Sequence, residues 1–577
     1  MRFRFVPLAL AVLCAGAHAD SLDDVIHAEM KRRQIPGLSI AVIDGGKVVR
    51  AQGYGVTEKN GGAAVTPATL FQAGSVSKSV AALGALRLAE QGKLALDEDV
   101  NARLVSWKVA DNEFTAEKKV TLRGLLSHTA GLTVHGFPGY ALDAPMPTVV
   151  QVLNGEAPAN TRPVRVHFAP GSQWRYSGGG YTVMQLLMTD VTGKPFAELM
   201  RDSVLAPLGM HASSFEQPPT AEHARLAATG HYGDRKQVRG RWHIYPEMAA
   251  AGLWSTPSDL ARFAIGIQQA LAGAANSAIS AAMAREMLTD QKNNYGLGVF
   301  LKGAGKDQQF SHGGRDEGFD ALMSAYSHTG QGVVVMINAN DNSRIKERIV
   351  AAVARQYRWP GAAEQARVAA PAKIDARTLA RYAGWYEIAN NRMIAFTAQH
   401  GRLSTLVDGM PDEEFIPIGK GQFRSNSRKM ELSFVSNARG HVTAAAMNAD
   451  GQQRQVPRIG PLMRSLTAQA DRQPARTATV KTVLDAAARG GDALAESALA
   501  TPGLKKNFGT DKVEELSGLS SLAFLHEQDV ADGSLQRHGG KVARVLSYVA
   551  TIDGQPRYLM VYLTADGVVT DYDLVAH

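Results

Sequence analysis

Residues 74–92 form the most regular stretch of this 577-residue chain and read GSVSKSVAALGALRLAEQG. Small and apolar residues occupy most faces of a 3.6-residue repeat, which is typical of a helix buried in a protein core. Gly92 is a common helix-terminating residue, so the pattern predicts a helix over 75–91. Ser75 and Lys78 lie three residues apart, and residues at that spacing share one face of a helix. The stretch therefore predicts a serine and a lysine side by side at the start of a buried helix.

This pairing has chemical consequences because a serine hydroxyl becomes a good nucleophile only when a base accepts its proton. A lysine removed from water has a lowered pKa and can be neutral enough to assist. The start of a helix adds backbone N–H groups, which favour developing negative charge. Spacing alone leaves a second interpretation open, in which Ser75 merely caps the helix. The same spacing recurs at Ser343 and Lys346, where we expect Ser343 to cap the following helix.

Two further segments carry groups that fit the same chemistry. Residues 168–181 read FAPGSQWRYSGGGY and place Tyr176 just before a glycine run and a predicted helix. A phenol beside an ammonium loses its proton more easily and can relay protons, although a tyrosine packed in the core gives the same pattern. Residues 310–315 read FSHGGR, which indicates a strand without side chains at Gly313 and Gly314, against which a substrate backbone can lie. An ordinary glycine turn is the alternative.

The chain before residue 358 mixes helix and strand signals. Apolar residues at helical spacing cover 22–33, a buried strand follows at 37–43, and the glycines after it predict a hairpin. A second buried strand is predicted at 332–338, with a helix over 345–357. Strands at both ends with helices between them predict an α+β fold. In it, N- and C-terminal strands share an antiparallel sheet beside a helical region.

Two linkers divide the chain into three predicted domains. Residues 359–371 are rich in alanine, proline and glycine, and residues 468–479 are polar with a central proline. They leave domains over 20–357, 375–463 and 480–577. Alternating strands between glycine and Asn/Asp turns predict that the second domain is a small antiparallel β-barrel or sandwich. The third reads as a small α+β module, with a helix over 480–500 and three final strands.

The first 19 residues have the layout of a secretory signal peptide. A positively charged start precedes a short apolar run, and Ala17-His18-Ala19 matches an A-x-A cleavage site. Cys14, the single cysteine, lies inside this segment, so we expect no disulfide or thiolate site after cleavage. A lipid anchor at Cys14 is the less favoured alternative, because Leu13 stands where a small residue is expected. We therefore predict a periplasmic or secreted bacterial protein with no stable membrane insertion after signal removal.

The composition is that of a globular protein, with 45% hydrophobic and 20% charged residues, and excludes a disordered or fibrous chain. A net charge of +8 is a mild bias over this length. There is no dense lysine and arginine stripe with interleaved aromatic residues, which argues against a nucleic-acid partner. No HExxH or paired-cysteine spacing supports a metal or other cofactor. We interpret the candidate histidines as solvated or hydrogen-bonded: His128, His135, His223, His231 and His243.

Together these motifs resemble those of the penicillin-recognising serine hydrolases, which include class C β-lactamases, related esterases and D-specific peptidases. The segments at 125–132 and 252–260 are also similar to stretches typical of that family, and motif order agrees over residues 22–355. The resemblance implies a β-lactamase/transpeptidase-like fold, with an antiparallel sheet flanked by helices and a helical subdomain. The second domain resembles the lipocalin-like barrels that often follow such hydrolases.

The same resemblance implies a role for each motif. Ser75 would be the acylated nucleophile, Lys78 its partner, and Tyr176 the general base and later proton donor. The third motif would contribute His312, Gly313 and Gly314. Backbone N–H groups of Ser75 and Arg315 would form the oxyanion hole.

Two departures from the family pattern bear on activity. The second motif usually reads Tyr-x-Asn, and Gly178 replaces the asparagine, whose amide normally contacts a substrate carbonyl and helps hold the lysine. The third motif usually begins with lysine, and a neutral His312 attracts a substrate carboxylate less than an ammonium does. Both changes suit a different substrate better than a β-lactam.

We therefore expect an exported serine hydrolase that works through an acyl-enzyme and is not an efficient β-lactamase. Its substrate would be an ester, amide or D-amino-acid peptide, with peptidoglycan-derived compounds among the candidates. The alternative is a penicillin-binding-like protein that binds peptidoglycan or peptides with little or no turnover.

Overall fold

The computed structural model describes residues 21–575 with gaps. The gaps are 276, 342–343, 361–371, 390–391, 400, 408–409, 420, 426–429, 450–451, 463–466, 509–515, 517, 531–534 and 539. The predicted signal peptide at 1–19, most of the first predicted linker, and Ser343 lie outside the described residues. Their predictions are therefore not tested by the structure.

The first part of the chain alternates helices and short strands. Its helices are α1 (Leu22–Arg33), α2 (Val76–Glu90), α3 (Leu122–Leu126), α4 (Val149–Asn154), α5 (Gly178–Thr192), α6 (Phe196–Met200), α7 (Ala221–Leu226), α8 (Met248–Ala251), α9 (Pro257–Leu271), α10 (Ala281–Met287) and α11 (Ile345–Gln356). Its strands are β1 (Gly37–Asp44), β2 (Lys47–Gly55), β3 (Phe71–Gln72), β4 (Tyr140–Ala141), β5 (His243–Ile244), β6 (Trp254–Ser255), β7 (Phe300–Lys302), β8 (Gln309–Asp316), β9 (Phe319–Tyr326) and β10 (Gly332–Ile337). The helices and strands predicted in this part are confirmed to within about one residue at each end, the usual uncertainty of element boundaries.

Six of these strands form one antiparallel sheet in the order β2-β1-β10-β9-β8-β7. β1 pairs with β10, and Ile40 lies opposite Val335 in the register. The beginning and end of the first part therefore meet in the middle of the sheet, which confirms the predicted sharing of strands. β8, which carries the FSHGGR motif, is a strand and not a glycine turn, and it lies next to the edge strand β7.

Helices cover both faces of this sheet because side chains alternate along its central strands. Leu38, Ile40 and Val42 of β1 pack with α1 and α11 on one face. Ala41 and Ile43 face the other way, into the cluster that contains α2 and α9. Most side chains of α2 are buried, which confirms the prediction from its apolar pattern. Core packing therefore places the start of α2, and with it Ser75, against the sheet.

The second part is a helix, α12 (Ala376–Tyr382), followed by a closed antiparallel barrel of eight strands. The strands are β11 (Gly384–Ala389), β12 (Arg392–Gln399), β13 (Arg402–Val407), β14 (Met410–Gly419), β15 (Gln422–Ser425), β16 (Met430–Ser436), β17 (Val442–Ala449) and β18 (Gln452–Gly460). Of the two predicted forms, barrel and sandwich, the barrel is therefore correct. Its core is rich in aromatic side chains, namely Tyr386, Phe396, Phe415 and Phe423.

The third part is an α+β module. Its elements are α13 (Pro474–Arg489), α14 (Gly491–Ala495), α15 (Pro502–Asn507), β19 (Leu519–Asp529), β20 (Gln536–Arg537), β21 (Gly540–Lys541), β22 (Arg544–Ile552), β23 (Gln555–Leu563) and β24 (Val569–Val575). The main sheet has the order β19-β22-β23-β24. The three predicted strands correspond to β22, β23 and β24, and β19 is a fourth that was not predicted.

Three details of the sequence prediction are wrong. The single helix expected over 480–500 is broken at Gly490, whose φ of 120° is unfavourable for other residues. The linker expected over 468–479 ends at Pro474, where α13 begins, because a missing N–H costs nothing in the first turn. Trp359, expected in the first linker, is buried in the core of the first part. The domain boundaries themselves stay predictions.

Candidate active site

Ser75 stands immediately before the first turn of α2, and its side chain makes no capping hydrogen bond to the helix. Instead, Lys78 Nζ donates a hydrogen bond to Ser75 Oγ over 3.0 Å. The interpretation of Ser75 as a mere cap is therefore wrong, and the two side chains meet as their spacing predicts. At the second match of this spacing, Lys346 Nζ instead lies 2.6 Å from Asp320 Oδ2 in an ion pair.

Lys78 is removed from water, with 1% of its surface exposed. Its Nζ atom also donates a hydrogen bond of 2.6 Å to the carbonyl oxygen of Ala250, which belongs to α8. Burial disfavours the ammonium form and lowers the pKa of Lys78 to about 7, against an opposing effect of Asp316. A substantial neutral fraction is therefore present near neutral pH, as a base that accepts the Ser75 proton requires.

Tyr176 approaches Ser75 from the segment before α5, and its hydroxyl interacts with the Ser75 side chain. Lys78 Nζ lies 5.0 Å from the centre of the Tyr176 ring. Burial raises the pKa of Tyr176 above its ordinary value. The lowered pKa that we expected from a neighbouring ammonium is wrong, because the cost of burying a phenolate is larger. The phenol therefore keeps its proton at neutral pH and is better suited to donate one than to accept one.

The strand β8 runs against the turn that holds Ser75, and two glycines allow this close approach. A Cβ atom on Gly314 would lie 1.9 Å from the carbonyl oxygen of Ala73 and 3.1 Å from the Ser75 nitrogen. A Cβ atom on Gly74 would lie 2.3 Å from the Arg315 nitrogen, and the φ of Gly74 is +52°. The backbone nitrogens of Ser75 and Arg315 are thus brought into one small region. Two N–H groups arranged in this way can stabilise an oxyanion.

His312, the first residue of the third motif, is buried within electrostatic reach of Lys78. Its Nδ1 atom lies 2.6 Å from the carbonyl oxygen of Gly313, and its Nε2 atom lies 3.2 Å from the Tyr295 hydroxyl. These contacts fit a ring that donates from Nδ1 and accepts at Nε2. Burial, with a further contribution from Lys78, lowers the pKa of His312 to about 3. The imidazole is therefore neutral at physiological pH.

Gly313 and Arg315 alternate with His312 and Gly314 and therefore lie on the opposite face of β8. The Arg315 side chain is 48% exposed, and its Nε and Nη2 atoms each lie 2.8 Å from a different carboxylate oxygen of Asp320. This bidentate pairing holds the guanidinium against a carboxylate that also pairs with Lys346. A Cβ atom on Gly313 would meet only the Ala321 carbonyl oxygen, at 3.9 Å. Packing therefore requires glycine at 314 but not at 313.

Gly178 is the first residue of α5 and is buried two positions beyond Tyr176. Ser177 caps this helix, since its hydroxyl accepts a hydrogen bond of 2.9 Å from the Gly180 nitrogen. A Cβ atom on Gly178 would lie 3.0 Å from Phe137 Cε2. The place that the asparagine side chain of the family pattern would take is therefore occupied by a neighbouring segment.

The part of the chain that holds Ser75, Lys78 and Tyr176 also matches a known protein family. A sequence model described as "Beta-lactamase" matches residues 22–358, which is more than half of the chain. The chain belongs to the beta-lactamase family of serine hydrolases. The predicted membership and the predicted β-lactamase/transpeptidase-like fold are therefore confirmed.

Two curated proteins show the range of relatives to which this beta-lactamase-family chain is similar in sequence. Esterase EstB of Burkholderia gladioli is 31% identical over 263 residues, which cover 43% of this chain and 64% of that one. Protein flp of Staphylococcus aureus strain N315 is 27% identical over 242 residues, or 41% of this chain and 45% of its own length. The chain thus spans about half the length of the curated relatives that it matches.

Among solved structures, the octameric penicillin-binding protein homologue from Pyrococcus abyssi superposes on 75% of this chain and 99% of its own. The TM-score is 0.50 and the sequence identity 20%. At that identity, the likeness shows the beta-lactamase-family fold alone.

Two histidines that sequence reasoning set aside lie at the candidate site of this beta-lactamase-family chain. The His128 ring centre is 4.2 Å from that of Tyr176, and its Nδ1 atom accepts a hydrogen bond of 3.1 Å from the Ser177 nitrogen. The His135 ring centre lies 4.9 Å from that of Tyr176. The interpretation of His128 as hydrogen-bonded is correct, but its position beside Tyr176 was missed. The signal for it was the family-typical segment at 125–132.

Asp316 was missed altogether. It ends β8 and is 3% exposed, and burial raises the pKa of its carboxyl group well above the usual range. It interacts electrostatically with Lys78. Alternation along β8 places it on the same face as His312 and Gly314, and this period of two was the available signal.

Two of the remaining candidate histidines, His231 and His243, are bonded to the backbone. The Nδ1 atoms of His231 and His243 each lie 2.8 Å from a backbone carbonyl oxygen, that of Asn338 and that of Pro138. Both are therefore hydrogen-bonded, as we interpreted them. Across the described ranges, no three histidine, cysteine, aspartate or glutamate side chains cluster in a way that could hold a metal ion.

Proposed function

We propose that this chain is an exported serine hydrolase that forms an acyl-enzyme on Ser75. The observation that carries the proposal is the 3.0 Å hydrogen bond from Lys78 Nζ to Ser75 Oγ, made by a lysine whose pKa is lowered to about 7. Such a pair supplies a nucleophile and a base together near neutral pH. The substrate is a small-molecule or peptide acyl compound, which can be an ester, an amide or a D-amino-acid peptide.

In the first half of the reaction, neutral Lys78 accepts the proton of Ser75 while Ser75 Oγ attacks the acyl carbon. The carbonyl oxygen becomes an oxyanion held by the N–H groups of Ser75 and Arg315. The bond to the leaving alcohol or amine then breaks, and the leaving atom takes a proton from the Tyr176 hydroxyl. The proton held by Lys78 returns to Tyr176. Water attacks the acyl-enzyme by the reverse transfers, which releases a carboxylic acid and restores Ser75.

The charges around the site favour a neutral acyl substrate. His312 is buried and uncharged, and the guanidinium of Arg315 is already paired with Asp320. A neutral imidazole and a guanidinium that already has a carboxylate partner attract a substrate carboxylate less than a free ammonium does, and β-lactams and peptide C-termini carry such a carboxylate. Gly178 supplies no amide to a substrate carbonyl. We therefore propose that esters are turned over better than β-lactams or peptides with a free carboxylate.

Covalent labelling tests the nucleophile directly. The protein is incubated with a fluorophosphonate and the adduct is located by mass spectrometry, with Ser75 as the expected site. The Ser75→Ala variant should lose hydrolysis of p-nitrophenyl esters and keep its circular dichroism spectrum. Ser343→Ala, the serine with the same spacing to a lysine, is the matched control and should remain active. An adduct on another residue, or unchanged turnover by Ser75→Ala, would contradict the proposal.

A substrate panel separates hydrolysis from binding without turnover. p-Nitrophenyl esters, nitrocefin and D-amino-acid amides are compared at equal concentrations. We expect steady release of product from the esters and little from nitrocefin. A stoichiometric burst followed by a stable adduct with every donor would instead favour the alternative, a binding protein that has lost turnover.

Export is proposed from the sequence of residues 1–19. Among the residues that the structure describes, no helix has the length and hydropathy needed to cross a membrane. Cell fractionation of a Gram-negative host should recover the full chain from the periplasm and a chain lacking residues 2–19 from the cytoplasm. Equal distribution of the two would count against a leader function.

A further inference from the structure

The start of α5 is held in place by a loop that carries Phe137. The Ser177 hydroxyl donates a hydrogen bond of 2.7 Å to the carbonyl oxygen of Thr133. The Gly178 nitrogen donates one of 3.0 Å to the carbonyl oxygen of His135. On the other side of Phe137, His243 Nδ1 lies 2.8 Å from the carbonyl oxygen of Pro138. The backbone of the loop is therefore attached on both sides of Phe137.

Phe137 stands where a side chain at position 178 would project. A Cβ atom on Gly178 would lie 3.0 Å from Phe137 Cε2, 3.4 Å from Phe137 Cδ2 and 3.1 Å from the carbonyl oxygen of His135. The first and third of these distances are shorter than ordinary van der Waals contacts. That carbonyl oxygen already accepts the hydrogen bond of the Gly178 nitrogen. The space beside Gly178 is thus filled mainly by an aromatic edge.

The loop that carries Phe137 reaches the Tyr176 ring. Gly178 is two residues beyond Tyr176, and His135, two residues before Phe137, packs at a tilt of 42° against the Tyr176 ring with 4.9 Å between ring centres. Phe137 is only half-buried and packs partly against the main hydrophobic core of the first part. The exposed part of the ring is apolar surface on the same loop that brings His135 to Tyr176.

We infer that Phe137 determines specificity and that the acyl group accepted by this site is a hydrocarbon chain, not an acylamino group. The inference rests on the proposed function, because it concerns the acyl half of the same substrate. An amide that faces the ring loses its hydrogen bonds to water without a replacement, which is unfavourable. An alkyl chain in the same place gains from burial against the ring.

Two esters with equal chain length test this inference. p-Nitrophenyl pentanoate and p-nitrophenyl N-acetylglycinate have acyl chains of five backbone atoms, and only the second contains an amide. The wild-type protein should show a kcat/KM at least about tenfold higher for the pentanoate, in the range that an apolar pocket can discriminate. Intrinsic reactivity cannot produce this order, because the acylamino group activates its own ester.

Substitution of the ring should remove the preference. Phe137→Ala should reduce the ratio of the two kcat/KM values by about fivefold or more, mainly through loss on the pentanoate. Phe137→Leu keeps an apolar side chain and should keep the preference. Phe114→Ala, a half-buried phenylalanine that packs against the same core, is the matched control and should leave the ratio unchanged.

The failure of this inference is distinct from the failure of the proposed function. Hydrolysis that depends on Ser75, with equal or better use of N-acetylglycinate, overturns the hydrocarbon preference and leaves the hydrolase intact. A wild-type preference that Phe137→Ala does not alter overturns the role of Phe137. If Phe137→Ala does not fold, Phe137→Leu and the wild-type ratio still decide the question. Hydrolysis that persists in Ser75→Ala overturns the proposed function itself.

Discussion

Gly74 and Arg315 meet backbone to backbone, and a Cβ atom on Gly74 would lie 2.3 Å from the Arg315 nitrogen. Gly314 makes the reciprocal approach, since its Cβ atom would lie 3.1 Å from the Ser75 nitrogen. Two segments that are far apart in the sequence therefore set the separation of the two candidate oxyanion N–H groups. The two backbones approach without room for a side chain between them, so a single methyl group is enough to disturb this separation.

Gly314→Ala should disable the site. The added methyl would collide with the Ala73 carbonyl oxygen, and displacement of an oxyanion donor typically costs about 10²–10³-fold in kcat. Overpacking should also lower the free energy of unfolding by about 1–3 kcal/mol. Gly313→Ala is the matched control for stability, because its Cβ atom meets only an oxygen at 3.9 Å. Urea denaturation that shows equal losses for the two variants would contradict this geometry.

The activity should depend on pH through Lys78. Because the pKa of Lys78 is about 7 and its neutral form is the base, kcat/KM for a neutral ester should fall about tenfold per pH unit below that value and level off above it. Lys78→Arg stays charged and should lose about 10²–10⁴-fold. The pKa of His312 is about 3, so His312→Asn should not move the midpoint. If His312→Asn shifts the midpoint, the fall of kcat/KM at low pH does not come from Lys78 alone, and this prediction is wrong.

The buried Lys78 side chain should lower the free energy of unfolding of the protein at neutral pH. The unfolded lysine keeps its proton up to about pH 10.5 and the folded one only up to about 7, so the wild-type protein gains stability as pH rises between these values. Lys78→Met removes the buried charge and should raise the free energy of unfolding at pH 7 by about 1–4 kcal/mol. Its advantage should shrink as pH rises towards 10. Thermal denaturation at pH 7 and 9.5 measures both effects, and an advantage that grows with pH would refute them.

Arg537 should join the barrel to the third part of the chain. It is 1% exposed, and its Nη atoms lie 2.9 Å from a carboxylate oxygen of Glu387 in β11, 3.1 Å from one of Asp571 and 2.8 Å from one of Asp573 in β24. Arg537→Met leaves these carboxylates without their shared cation, at a cost of about 3–5 kcal/mol.

Limited proteolysis and thermal denaturation measure the loss of stability in Arg537→Met. The third part should become more susceptible to cleavage in Arg537→Met, while the hydrolase part keeps its activity. Arg557→Met removes an exposed arginine and is the control, with an expected change within about 0.5 kcal/mol. Identical protease patterns for Arg537→Met and the wild-type protein would show that the cluster does not join the two parts.

Local patterns in the sequence were sufficient wherever the deciding geometry spans only a few residues. Ser75 and Lys78 could be paired because one helical turn always brings positions three apart together. The β-hairpin and the central strands were correct for the same reason, since alternation and glycine turns act locally. The helix expected over 480–500 failed because a single Gly490 with positive φ interrupts it.

The candidate site contained more than the motifs revealed. The Ala250 carbonyl oxygen that accepts from Lys78, and the ring of His128 beside Tyr176, come from segments whose neighbours in space cannot be read from periodicity. The direction of the Tyr176 pKa shift was predicted wrongly for a related reason. It depends on how completely water is excluded, and exclusion is a property of the assembled core.

By itself, the sequence determined which residues form the buried helix, the strands of the shared sheet and the serine–lysine pair, because these follow from repeat periods within single elements. Only the tertiary structure decided that β8 presses on the Ser75 turn, that burial brings the pKa of Lys78 to about 7, and that Phe137 fills the space beside Gly178. Each of these depends on contacts between residues far apart in the chain. Close packing and loss of water set them, and neither acts until the chain is folded.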